Sequence, residues 1–167
     1  MTFRGLWLVF ALTGCNGGGE APPGEPPLVF DTDLRASYTM VRPCRFPGEH
    51  SALNGFTVWV NQKGAASFAA IWQTPPGVSE LAPGSVVVKE LYSGQGCDPK
   101  TAERWVAMEK RSGFDPAHGD WFWQEVSSDR KVTVNGADEH CFDCHTGSQS
   151  CDGYGLAAGR DYLCTVP

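Results

Sequence analysis

The chain has 167 residues, 41% hydrophobic and 11% aromatic, with a formal net charge of −6. That length fits one domain with a real core and room for a buried cofactor. The acidic balance, without a basic run, argues against a nucleic-acid partner and against charge-driven binding to anionic lipid.

Residues 1–14 start with one basic side chain, Arg4, and then run apolar through residues 5–11. A charged start, a short greasy stretch and small residues at the end describe an export signal. It is too short to span a bilayer, which takes about 20 apolar residues. Leu12-Thr13-Gly14-Cys15 is similar to the bacterial lipobox, in which the cysteine becomes the acylated first residue. The plainer alternative is an ordinary signal peptide with a stray cysteine. Asn16 follows, not Asp, so nothing marks retention at an inner membrane. The expectation is a lipid-anchored protein of a bacterial cell envelope, facing the periplasm or cell surface, at the outer membrane, and touching the membrane through the anchor only. Residues 15–27 are rich in Gly and Pro and read as a partly stiff tether. The folded domain is then 28–167.

Within that domain the pattern is mostly β. Phe56–Asn61 alternates, with Phe56, Val58 and Val60 on one face. Residues 63–73 are Ala-rich and set Phe68, Ile71 and Trp72 on one helical stripe, stopped by Thr74-Pro75-Pro76-Gly77. Pro83-Gly84 is a turn, and residues 85–92 and 104–110 read as strands. A loop over 112–116 precedes a strand over 120–126 that carries Trp121, Phe122 and Trp123. A turn over 127–130 leads to a short strand over 131–134, Asn135-Gly136 breaks it, and a short helix starts near Asp138. Consecutive strands with short turns predict an α+β fold, mainly an antiparallel β-sheet with two or three helices and no internal repeats.

That last helix carries Cys141-Phe142-Asp143-Cys144-His145, a Cys-x-x-Cys-His frame. It reads as covalent haem c attachment. Thiols one helical turn apart can both add to the vinyl groups of one porphyrin, and His145, next in the chain, can ligate its iron. With 7 Cys and 4 His in the chain, a chance match is roughly 0.7 per cent, so the spacing is informative. The rivals are a thioredoxin-like redox pair, which lacks its βαβ setting here, and a zinc site completed by Cys151 and His140. One haem c with iron per chain is the expectation.

Setting aside Cys15, Cys141 and Cys144 leaves Cys44, Cys97, Cys151 and Cys164. An even remainder in an oxidising compartment suggests two disulfides, for which three pairings exist. Cys44–Cys97 with Cys151–Cys164 is preferred, because the second closes a short loop just after the Cys-x-x-Cys-His motif.

The order of these pieces resembles the cytochrome P-460 family, which includes the beta-type cytochromes c-prime. The matching features are the strand ending in Asn61, Gly84-Ser85-Val86-Val87-Val88-Lys89-Glu90, Met108-Glu109-Lys110-Arg111, Asp120-Trp121-Phe122-Trp123 and the C-terminal Cys-x-x-Cys-His. The resemblance covers most of residues 50–146. It implies an antiparallel sheet, often a homodimer, and pentacoordinate haem c with an open distal face. The lipid anchor and the four extra cysteines depart from that pattern. In members that oxidise hydroxylamine, a Lys in the Gly-Ser/Thr-Val-x-Val-Lys-Glu strand is bonded to a porphyrin meso carbon, and Lys89 stands in that place by resemblance. Val87, Lys89 and Leu91 share a strand face, so an internal face turns Lys89 inward; the alternative turns Val86, Val88 and Tyr92 to the core and Lys89 to water.

Two functional readings follow. In the first, the iron binds or oxidises a small nitrogenous ligand such as hydroxylamine or nitric oxide and passes electrons to a partner cytochrome. Glu90, Glu109, Asp120 and Glu125 are then candidates to take protons. In the second, a sixth ligand from His50, His118, His140, Met40 or Met108 makes a low-spin, non-catalytic electron carrier. A third reading, a zinc- or disulfide-stapled binding module without haem, predicts a colourless protein.

Overall fold

The computed structural model describes residues 24–31, 33–46, 54–73, 75–146 and 160–164. Six strands follow in chain order: β1 Tyr38–Arg45, β2 Phe56–Asn61, β3 Val86–Tyr92, β4 Ala102–Lys110, β5 Trp121–Ser127 and β6 Val132–Gly136. Each pairs antiparallel with the next, giving one sheet in the order β1-β2-β3-β4-β5-β6. Helices α1 Leu34–Ser37, α2 Gln62–Ile71 and α3 Glu139–Thr146 complete the described fold. The α+β architecture dominated by an antiparallel sheet is therefore present.

Both faces of the sheet are covered. One carries Phe56, Val58 and Val60 of β2, Val87 and Leu91 of β3 and Trp123 of β5, packed with Phe68 and Ile71 of α2 and Phe142 of α3. The other carries Trp59, Val86, Val88, Trp105 and Val126 under Phe30 and Leu34. Double coverage explains why β2 is buried at every residue from Phe56 to Val60 although its sequence alternates only weakly. The two options for β3 thus hold together: Val86, Val88 and Tyr92 are buried on the back, and Lys89 lies on the front face with Val87 and Leu91.

Asn61 joins three elements. Its Oδ1 accepts from Gly64 N at 2.9 Å, capping α2, and from Val86 N at 3.1 Å, while its Nδ2 donates to Gly84 O at 3.0 Å. The back layer is fixed by Gln124, which accepts from Val29 N and donates to Pro27 O. Cys44 and Cys97 form the expected disulfide, with Cα atoms 5.8 Å apart. Cys164 is also disulfide-bonded; Cys151, expected as its partner, lies outside the described residues.

Three elements differ from expectation. β1 and α1 carry no predicted counterpart. β6 runs through Asn135 and Gly136, where a break was expected, because Gln124 Nε2 donates to Asn135 Oδ1 and keeps the last residues in register with β5.

Candidate functional site

Helix α3 starts because Asp138 caps it: Cys141 N donates to Asp138 Oδ1 at 3.0 Å and Phe142 N to the Asp138 carbonyl at 3.1 Å. The backbone donor at Cys141 holds the Asp138 carboxyl below its ordinary range. Phe142 is the helix's buried residue, stacked on His118 at 4.2 Å and edge-on to Trp123 at 5.6 Å. With Phe142 turned into the core, Cys141, Cys144 and His145 sit at i, i+3 and i+4 and share the flank beside it.

That flank forms one wall of a cavity of about 220 Å³, which His140 also lines. The opposite wall is the front of the sheet: Arg104, Val106, Trp123, Glu125 and Val134. The strand register makes this wall, since Lys89, Val106, Glu125 and Val134 stand side by side across β3 to β6. Arg104 Nη1 lies 3.7 Å from Glu125 Oε1 at its rim.

His145 Nδ1 donates to the Tyr162 carbonyl at 2.7 Å, and its ring meets Trp123 at 4.7 Å. The protein packed around the ring lowers its pKa, the Tyr162 carbonyl acts against this, and the Lys89 ammonium adds to it. A neutral imidazole whose Nδ1 carries the proton leaves Nε2 with its lone pair, the tautomer a metal ligand needs. Cys141 and Cys144 are not in disulfides. Burial, and then the hydrogen bond to Asp138, push the Cys141 thiol up to about 12.

These residues fit a c-type haem. Two thiols and an imidazole with a prepared lone pair share one wall. The other joins the apolar surfaces of Val106, Trp123 and Val134 to the charged pair Arg104 and Glu125. Among the described residues no group of three or more His, Cys, Asp or Glu is placed to hold a bare metal ion.

The remaining candidates separate by position. Lys89 is half-buried on the cavity face, its Nζ 4.2 Å from the Phe56 ring centroid. Of the four carboxylates, Glu125 lines the cavity. Glu90 is on the back face, buried beneath Arg35 and bonded by Tyr92 Oη at 2.6 Å, so it is not a proton acceptor for this cavity. Glu109 pairs with Arg111, and Asp120 accepts from Gly113 N and Asp115 N in a turn. His118 bonds Asp115 and stacks on Phe142, Met40 is exposed, and Met108 is buried in the front core. Trp121 donates to Asp161, and Trp105 packs on the back face. Cys15 and His50 lie outside the described residues.

Apart from Cys164, the sequence reading missed residues 160–164. Asp161 and Tyr162 reach back to β4, β5 and His145. The contact to His145 uses a backbone oxygen, which no residue type advertises.

Among the described residues no helix is long and apolar enough to cross a membrane. No curated protein matches the chain. The sequence model of a family described as Cytochrome P460 matches residues 51–163, from ahead of β2 to beyond α3. Proteins of that family are typically exported. The chain therefore belongs to the cytochrome P460 family, which implies a c-type haem with iron.

Proposed function

We propose that this protein is an exported monohaem c-type cytochrome that binds or oxidises a small nitrogenous ligand, hydroxylamine or nitric oxide, at five-coordinate iron. The observation that carries the reading is the asymmetry of the cavity. The α3 wall offers His140, Cys141, Cys144 and His145, while the facing residues Arg104, Val106, Trp123, Gln124, Glu125 and Val134 include no imidazole and no thioether. Cys141 and Cys144 would hold the porphyrin through thioether bonds, and His145 would hold the iron through Nε2. When bound, the haem supplies a redox-active iron with a coordination position left for a small ligand.

The protein's own groups then have defined tasks. The Tyr162 carbonyl keeps His145 in the Nδ1–H tautomer. Glu125, at the cavity wall and half-exposed, accepts protons released by a nitrogenous ligand and passes them to water. Lys89 stands on the cavity face, where an additional covalent bond to the porphyrin edge would alter the ring's electronics. Electrons leave to a partner cytochrome. Residues 1–14 serve as the export signal, Cys15 carries the lipid, residues 15–27 form the tether and 28–167 the haem domain, placing the protein in a bacterial envelope at the outer membrane. A homodimer is the expected assembly.

The absorption spectrum of the purified ferrous protein tests the reading. High-spin iron supports it, and a broad, strongly red-shifted Soret band adds the Lys89 linkage. Sharp low-spin bands would overturn it in favour of a six-coordinate electron carrier. Mass spectrometry of the proteolysed protein should find one haem on the Cys141–Cys144 peptide. It should be absent after Cys141→Ser with Cys144→Ser.

A further inference from the structure

We infer that residues 160–164 form a strap that positions the iron ligand, with Asp161 as its positioning residue: Asp161 aims the Tyr162 carbonyl at His145 and thereby tunes the electron donation of the imidazole. The inference rests on the reading of His145 as the iron ligand. It is carried by four observations.

First, Asp161 is tied to the sheet through Oδ1 and to the loop ahead of β3 through Oδ2. Oδ1 accepts from Lys110 Nζ at 2.6 Å and from Trp121 Nε1 at 3.2 Å, and Oδ2 accepts from Leu81 N at 2.7 Å. The two charged side chains are 5% and 4% exposed, so the pair is buried and specific in geometry. Second, Asp161 and Tyr162 both have positive φ, 50° and 63°, in the left-handed region that favours glycine. Two such residues in succession persist only where the surroundings hold them. Third, the product of that bend is the Tyr162 oxygen 2.7 Å from His145 Nδ1. Fourth, the strap is fastened on both sides: Arg160 donates to the Ile71 and Gln73 carbonyls at the end of α2, and Leu163 is buried in the front core.

A hydrogen bond to the non-ligating nitrogen makes a histidine a stronger donor to its metal. Stronger donation favours the ferric state and stiffens the iron–nitrogen bond. Loosening the strap should therefore raise the reduction potential and lower the iron–histidine stretching frequency, with the haem still covalently attached.

The test compares haem-loaded full-length protein with Asp161→Ala, Gly119→Ala and Gly64→Ala. A Cβ at Gly119 would stand 2.7 Å from Tyr162 Cε2, so that variant disturbs the strap from the other side if Asp161→Ala does not fold. Gly64 is crowded by Val60 and Ser85, and its variant controls for general destabilisation. Resonance Raman spectra of the ferrous state and equilibrium redox titration are the readouts. The expected result is a downward band shift and an upward potential shift in both strap variants, with both readouts unchanged in Gly64→Ala. An unchanged band and potential in the strap variants, with thioether haem and an iron–histidine band present, would overturn the strap alone. Equal shifts in Gly64→Ala would overturn it too, by reducing it to a stability effect. Wild-type protein with high-spin ferrous haem but no iron–histidine band would remove the ligand assignment, and the strap with it.

Discussion

Asp138 shows how much one side chain contributes to the site. It closes the first turn of α3, and the helix it starts carries all three proposed haem contacts. Replacing it by Ala should cost about 1 kcal/mol, the usual value of a lost N-cap, seen as a lower urea midpoint. The sign of the pH dependence follows from its carboxyl being held below the ordinary range. The stabilisation is present at neutral pH and is lost as pH falls through the folded-state value. The wild type and Asp138→Ala should therefore converge in stability in acid and separate above the ordinary carboxylate range. The Cys141, Cys144 and His145 cluster is legible from spacing alone, because a helical turn brings i, i+3 and i+4 to one side. Glu125 is less legible. Choosing it over Glu90 needs the strand register, and a shift of one residue would have exchanged their faces.

Helix α3 is eight residues long, too short to persist through propensity alone. It is held by Phe142 against His118, Trp123 and Tyr162. Phe142→Ala should cost about 3–5 kcal/mol; chemical denaturation measures the loss, and the covalent haem content of the purified protein should fall with it. Among the strands, β2 matches its predicted limits, and β3 and β4 come within two residues, because apolar runs bounded by turn residues are a strong local signal. β1 escapes such reading for a physical reason. It is an edge strand with Arg42, Pro43 and Arg45 in sequence and much of its surface in water, so it carries neither periodicity nor a closed hydrophobic face. The strap escapes it as well, since its contacts span 17 to 89 residues of chain and several end on backbone atoms.

For the molecule as a whole, the sheet is a partition between two packed layers, each with its own polar anchor. Behind it, Glu90, Tyr92 and Thr57 form a buried network covered by the exposed Arg35, and burial with the Glu90 contact raises the Tyr92 phenol to about 12. In front lies the cavity. The Cys44–Cys97 disulfide ties β1 to the segment ahead of β4 across 53 residues of chain. Selective reduction and alkylation of that bridge should lower stability by about 2–4 kcal/mol, while the visible spectrum of surviving folded protein stays unchanged, because neither sulfur lines the cavity. The clasp between Gln124 and Pro27 with Val29 has a mechanical meaning. The chain leading to the N-terminus departs from the rear of the sheet. If Cys15 carries the proposed lipid, tension on that terminus would be borne by the back layer, as a bracket bears a hung lamp, leaving the crevice undistorted.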